Sequence, residues 1–288
     1  MASLRDVRRR IKSVQNTQKI TKAQQVVAAT KIRRAQQMVQ ATRPYAEKML
    51  EVLQTTTERA REYRHPFLED RERSRALLIL VTSDRGLAGA LNVNSLRAAN
   101  RYLNQNYPRN ARVITIGRKG RELMNRLGRE IVAEVSNLPD RPGLNDIIPA
   151  TRAAIDELME GRSDVLLLAY AQWISTMRQE PLVKVLVPAE IPKREEGQGP
   201  GADYEYEPGP ESVLDALLPR YIETQVYQAV LENKASEWSA RMIAMKNATD
   251  NAGELVQELT LSANKMRQAS ITTELMEIVS GAEALRAS

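Results

Sequence analysis

The sequence predicts a mixed α/β protein: an antiparallel coiled coil of long N- and C-terminal helices plus a central Rossmann-like α/β domain. Three observations carry this reading. Residues 220–288 contain no proline and only two glycines, and apolar or small residues recur through them at alternating spacings of four and three. Residues 1–43 lack both glycine and proline and begin with a similar pattern. Between the two, short Val, Ile and Leu runs alternate with helical patterns from about residue 74 to residue 188.

The N-terminal segment, residues 1–65, opens with Leu4, Val7, Ile11 and Val14 at three-four-three spacing, and Ile20, Ala23 and Val27 are expected to continue the seam. Ser3 before Leu4, with Asp6 three residues on, is a cap that places acidic charge near the helix start. Pro44 interrupts the pattern before Met49, Leu50 and Leu53 resume it, so a kink or restart is expected there. An isolated helix is marginal in water, and pairing with the other terminal helix is the simplest way to cover the seam.

The central domain, residues 74–192, holds strand candidates at 76–82, 112–116, 131–135, 165–171 and 182–187, with helices at 95–106, 118–127 and 146–160. This β-α-β rhythm, with strands apolar nearly throughout, predicts a largely parallel sheet covered on both faces. Residues 193–210, with four glycines and three prolines, read as a loop. The C-terminal helix then occupies 211–288, with Pro219 expected to bend it. Its seam runs Trp238, Met242, Met245, Thr249, Ala252, Val256, Leu259, Ala263, Met266, Ser270, Thr273. It begins bulky and thins to small residues. The first half suits ordinary coiled-coil packing; the second suits close backbone approach or a helix surrounded by another protein.

Composition narrows the function. No apolar stretch approaches the length of a membrane span, and the absence of cysteine excludes disulfides, thiolate nucleophiles and cysteine-ligated zinc. The basic amphipathic N-terminus superficially resembles a transit peptide, but its apolar seam complements the C-terminal helix and assigns it to the mature structure. The sole histidine, His65, lies outside the seams and the strand ends and does not read as a catalytic base. TSDRGLAGALN, residues 82–92, follows a strand and enters a helix as phosphate-binding loops do, yet it lacks the lysine and glycine spacing of the known fingerprints. IGRKG, with Gly117 and Gly120, falls equally short, and a tight turn leaving the sheet explains both. No catalytic residue, metal or cofactor is expected.

Residues 1–43 carry eleven basic residues against Asp6 alone, a net +10; with +6 for the whole chain, the remainder carries −4. Such a helix can bind nucleic acid through phosphate contacts, although aromatic stacking residues and a recognised nucleic-acid motif are missing. A basic helix seated against acidic protein surfaces explains the same charge.

Three blocks carry a resemblance: IKSVQNTQKITKAQQVVAATKIRRAQ at 11–36, SDRGLAGALN at 83–92, and the run from Glu232 to Leu285 that includes RQASITTELMEIVSGA. The chain resembles the gamma subunit of the bacterial F-type ATP synthase. That resemblance implies a non-catalytic rotor shaft inside a ring of three alpha and three beta subunits, with the α/β domain and the epsilon subunit docked on the membrane-embedded c ring. It implies a peripheral position on the cytoplasmic face of the bacterial cell membrane. By the same resemblance Arg267, Gln268, Thr272 and Glu274 contact the beta subunits. Ile278, Val279, Ala282 and Leu285 form an apolar shaft tip, and Tyr204, Tyr206 and Glu207 meet the c ring and epsilon. Gln24, Val26, Ala88 and Ala263 depart from the family's common residues, mostly by small or apolar replacement. The alternatives are a nucleic-acid-binding coiled coil and an enzyme using the 82–92 turn.

Overall fold

The computed structural model describes residues 3–60, 63–69, 74–191, 204–207 and 209–286, with side chains to Ala282. The chain order is α1 (Leu4–Arg59), β1 (Ala76–Val81), α2 (Leu91–Asn106), β2 (Ala111–Ile116), α3 (Arg118–Arg126), β3 (Ile131–Val135), a 3-10 turn (Leu144–Asp146), α4 (Ile148–Met159), β4 (Val165–Trp173), β5 (Gln179–Val187) and α5 (Pro210–Arg286). The chain divides into two compact units, one formed by residues up to Val27 and from Met242 onward, the other by Ala28–Arg241.

In the first unit α1 and α5 run antiparallel. The start of α1 is capped as its sequence suggests: the Asp6 N–H donates to Ser3 Oγ at 3.2 Å, and the Ser3 N–H donates back to the Asp6 carboxylate at 3.3 Å. The seam on α1 does not follow Ile20, Ala23 and Val27. These side chains are exposed, Ile20 by 59% and Val27 by 51%. The covered positions are instead Leu4, Val7, Ile11, Val14, Gln18, Thr21 and Gln25, which keep a strict alternation of three and four. The heptad register passes through polar residues because they have partners across the seam. Thr21 Oγ1 lies 2.7 Å from Thr249 Oγ1, and Gln18 Nε2 donates to the Thr249 carbonyl at 3.5 Å. Gly253 leaves the space that Gln18 fills, since a Cβ there would stand 2.9 Å from Gln18 Nε2. A polar layer of this kind fixes the register of a coiled coil more firmly than interchangeable apolar knobs.

That register explains where the cover ends. Leu4, the first residue of α1, precedes Thr21 by as many residues as Met266 follows Thr249. Met266 is half-buried, and every residue from Arg267 to Ala282 is exposed.

The second unit is built on a five-stranded sheet of order β3-β2-β1-β4-β5. The first four strands are parallel and β5 is an antiparallel edge. Pro181 therefore sits in an edge strand, where its missing N–H costs no ladder bond on the open side. Ala76, Leu78 and Leu80 face Ala99 and Leu103 of α2 and Met124 of α3. Leu77, Ile79 and Val81 face α4 together with Met49 and Leu53 of α1 and Leu218, Ile222 and Val226 of α5. Burial on both faces accounts for the unbroken apolar run ALLILV of β1. The terminal helices thus supply much of one face's cover.

Neither proline ends its helix. Pro44 lies within α1 and Pro219 within α5, and the carbonyls they free belong to Gln40 and Asp215, both exposed to water. Between Ala229 and Arg241, by contrast, α5 is buried nearly all round. Its small and polar residues seat the end of β4: Ser236 Oγ donates to the Ala171 carbonyl at 2.9 Å, the Ala171 N–H donates to Asn233 Oδ1 at 3.2 Å, and Trp173 Nε1 donates to Ser239 Oγ at 3.2 Å.

Leu78 is fully buried on the α2 side of the sheet. Leu78→Ala is expected to lower stability by about 3 kcal/mol through lost burial and a residual cavity, measured by urea unfolding with an unchanged denaturant slope.

Candidate functional site

The two turns that mimic phosphate loops are bonded to each other. At the start of α3 the Arg118 N–H donates to Asp84 Oδ1 at 2.9 Å, the Lys119 N–H to the Ser83 carbonyl at 3.1 Å and the Gly120 N–H to Thr82 Oγ1 at 2.7 Å. The donors a phosphate needs at a helix N-terminus are therefore occupied. Gly117, at φ 104°, is required by the close approach, since a Cβ there would lie 2.2 Å from the Thr82 carbonyl oxygen.

Asp84 also accepts from the N–H groups of Asn137 at 2.9 Å and Leu138 at 3.0 Å, so one buried carboxylate joins the ends of β1, β2 and β3. Ser83 and Asn92 close the loop from the other side: the Ser83 N–H donates to Asn92 Oδ1 at 3.1 Å and Asn92 Nδ2 donates to Ser83 Oγ at 2.8 Å. Residues 82–92 form a tight turn held by these internal bonds.

This knot is tied to α5 by charge. Arg241 donates to the Gly86 carbonyl at 3.1 Å and to Glu237 Oε1 at 2.7 Å. Its guanidinium stands 4.6 Å from the centre of the Trp238 ring, as does the ammonium of Lys31, which also pairs with Asp140. Two cations on one buried indole fix α1, α5 and the loop together. Sequence reasoning missed this cluster; the signal available was a Trp four residues after Lys234 and three before Arg241, on a helix otherwise poor in aromatics.

The predicted beta-contact and tip residues share one surface. Arg267, Gln268, Thr272 and Glu274 all lie on the uncovered part of α5, where Thr272 Oγ1 bonds the Gln268 carbonyl at 3.0 Å and Ser270 Oγ bonds Glu274 at 3.0 Å. Ile278, Val279 and Ala282 follow on the same exposed stretch, Ile278 by 68% and Val279 by 53%; the side chain of Leu285 lies outside the described residues. The uncovered segment to Ala282 is about 24 Å long at the helical rise. It exposes Ile271, Leu275, Met276, Ile278 and Val279, more apolar surface than a free helix would show to water.

A second apolar surface was not anticipated. Ile20 and Val27, displaced from the seam, are exposed on α1 with Val26, and an open cavity of about 560 Å³ runs between Gln18, Lys22, Ala23, Val26 and Thr249.

The third predicted group lies elsewhere, at the junction of α1 and α5. Tyr206 is half-buried, its hydroxyl 3.5 Å from Thr56 Oγ1 and its ring 5.5 Å from the Arg59 guanidinium. Tyr204 is half-buried beside it in sequence, and Glu207 is exposed. His65 belongs to the same region as a buried structural residue: its Nδ1 accepts from the Phe67 N–H at 3.0 Å and its ring stacks edgewise on Phe67 at 4.8 Å.

The model of one protein family, described as ATP synthase, matches residues 3–285. The gamma chain of ATP synthase from Legionella pneumophila is 46% identical, over 99% of this chain and all of its own length. The chain belongs to the ATP synthase gamma-chain family. The gamma chain from Ralstonia nicotianae is 48% identical over the same share of both chains. Solved structures agree in fold. A chain of the Euglena gracilis mitochondrial ATP synthase (OSCP, F1 and c ring) superposes with a TM-score of 0.69 at 20% identity, covering 99% of this chain and 95% of that one. One from the central stalk and c ring of the Tetrahymena thermophila enzyme gives 0.60 at 24% identity, covering 80% and 99%. A gamma chain is a non-catalytic subunit of ATP synthase, and membership along nearly the whole chain leaves the nucleic-acid and enzyme alternatives unsupported.

Asp84→Asn keeps the shape of the hub but replaces one acceptor oxygen by a donor facing backbone N–H groups. A loss of about 2–3 kcal/mol in urea unfolding is expected.

Proposed function

We propose that this chain is the central rotor shaft of an F-type ATP synthase, coupling ion flow through the membrane ring to the conformational cycle of the catalytic beta subunits. The observation that carries the reading is the abrupt end of the coiled coil at Met266, followed by an exposed helix that is mostly polar at Arg267–Glu274 and mostly apolar from Leu275 to Val279. A single helix with such different successive surfaces suits a shaft inside a closed ring of three alpha and three beta subunits.

In this reading Arg267, Gln268, Thr272 and Glu274 hydrogen-bond to a beta subunit at particular shaft angles. Directional, charge-assisted bonds favour one subunit conformation over another only when the angle is right, and that difference in affinity is what shifts a conformational population. Ile278, Val279, Ala282 and Leu285 turn within an apolar collar, where undirected contact costs little as the angle changes. Tyr204, Tyr206 and Glu207 meet the c ring and epsilon at the other functional end. The chain is peripheral on the cytoplasmic face of a bacterial membrane; no described helix is long and apolar enough to cross one.

Co-expression with the alpha and beta subunits of the same source is expected to yield an assembly with one copy of this chain per three of each, whose ATP turnover depends on it. Failure to assemble with authentic partners would sink the rotor reading. A second measurement addresses the foot. Tyr206→Ala with Glu207→Ala should leave hydrolysis by the soluble sector intact while ATP-driven ion pumping falls several-fold; unchanged pumping would remove those residues from the coupling path.

A further inference from the structure

The four parallel strands enter the sheet along one edge, and that edge is rich in arginine. Arg75 immediately precedes β1, Arg109 and Arg112 flank the start of β2, Arg129 lies two residues before β3 and Arg162 three before β4. Together with Glu130 they line one open cleft of about 420 Å³. Three of the five are held in place by carboxylates behind the wall. Arg75 grips Asp164 through Nε at 3.1 Å and Nη2 at 2.6 Å, while Arg112 and Arg162 share the buried Glu157, with Arg162 also paired to Glu160. Arg109 is exposed and forms no ion pair among the described residues. Among the described residues the Arg129 guanidinium donates to the neutral side-chain amides of Asn100, at 3.3 Å, and Asn104, at 2.6 Å, and to no carboxylate. With Glu130, Glu157, Glu160 and Asp164 counted, the cluster keeps an excess of one positive charge, and Arg109 and Arg129 are the guanidinium groups left to use it.

The position of this edge in its unit suggests what it meets. Val187, ending β5, pairs with Leu166 at the start of β4, and the Ala189 N–H then donates to the Phe67 carbonyl at 2.7 Å, in the segment that follows α1. At the opposite edge the end of β4 is bonded to Asn233 and Ser236, well along α5. The start of α5 and the end of α1, where Tyr206 lies against Thr56 and Arg59, therefore share an end of the unit with the arginine cleft.

We propose that the cleft binds a phosphate group, that of an anionic phospholipid headgroup at the membrane surface. This rests on the reading that the Tyr204–Glu207 end faces the membrane. The planar guanidinium fork matches phosphate oxygens two at a time, and three pre-positioned arginines reduce the ordering cost of adding a ligand to the two that no carboxylate neutralises.

The test is flotation of the full chain with phosphatidylcholine vesicles, with and without phosphatidylglycerol. Capture is expected only by the anionic vesicles. It should weaken roughly thirtyfold in Arg109→Gln with Arg129→Gln and roughly fivefold in Arg109→Gln alone, where no native contact is lost. Arg8→Gln with Arg9→Gln and Arg10→Gln, on the exposed face of α1, is the control for non-specific attraction. Capture unaffected by the cleft substitutions, or lost equally in the α1 control, would overturn the site. A phosphorus NMR signal of inorganic phosphate broadened by the wild-type chain but not by the cleft variant, without vesicle capture, would overturn the lipid source in favour of free phosphate. Vesicle capture needs no alpha or beta subunit, so it can fail while assembly succeeds, and the reverse.

Discussion

Most of the stability of a protein helix comes from burying its apolar face, and the fold depends on α1 and α5 each covering the other's seam. In the unit formed by the chain ends, that pairing is the only cover the described residues provide, and its register is set where the seam turns polar. Thr21 against Thr249, with Gln18 crossing over Gly253, is a contact that a one-turn slip would break on both sides at once. An apolar layer at the same height would be more stabilising and less particular about register. The consequence is positional: the register sets where α5 loses its partner, and so which residues stand exposed.

In the unit that holds the sheet, the same two helices are walls of a core. Leu53 of α1 and Ile222 and Val226 of α5 bury one face of β1, and the carboxyl end of β4 is closed by hydrogen bonds to α5. The Asp84 hub and the Arg241–Trp238–Lys31 stack make that closure stiff, because charged groups bonded in buried surroundings lose heavily if any partner moves. A Rossmann-like domain with its usual ligand edge filled by its own side chains is a scaffold. At the start of α3 the N–H donors of Arg118, Lys119 and Gly120 are taken by Asp84, Ser83 and Thr82, so the 117–120 turn has none of these three to offer a phosphate.

The strands were legible to within a few residues, β1 and β4 because buried parallel strands read as continuous apolar runs, and the half-buried edge strand β3 to the residue from its short Ile-Val-Ala-Glu-Val run. Ile20 and Val27 misled because hydrophobicity identified them while spacing did not. A strict three-four repeat from Leu4 runs through Gln18 and Thr21, and only the partner helix shows why polar residues are acceptable there. Pro44 does not restart its helix, and Pro219, expected to bend α5, lies within it; the carbonyls the two prolines free belong to the exposed residues Gln40 and Asp215.

By itself the sequence determined the long helices, the α/β rhythm between them and, through its three motif blocks, the family: local periodicity and residue identity are properties of the chain. Tertiary structure alone decided which residues of α5 are covered and which are bare, that Thr82, Ser83 and Asp84 consume the donors of α3, and that arginines scattered from Arg75 to Arg162 meet in one cleft. Each of these depends on contacts between residues far apart in the chain, whose spacing carries no local trace of the meeting.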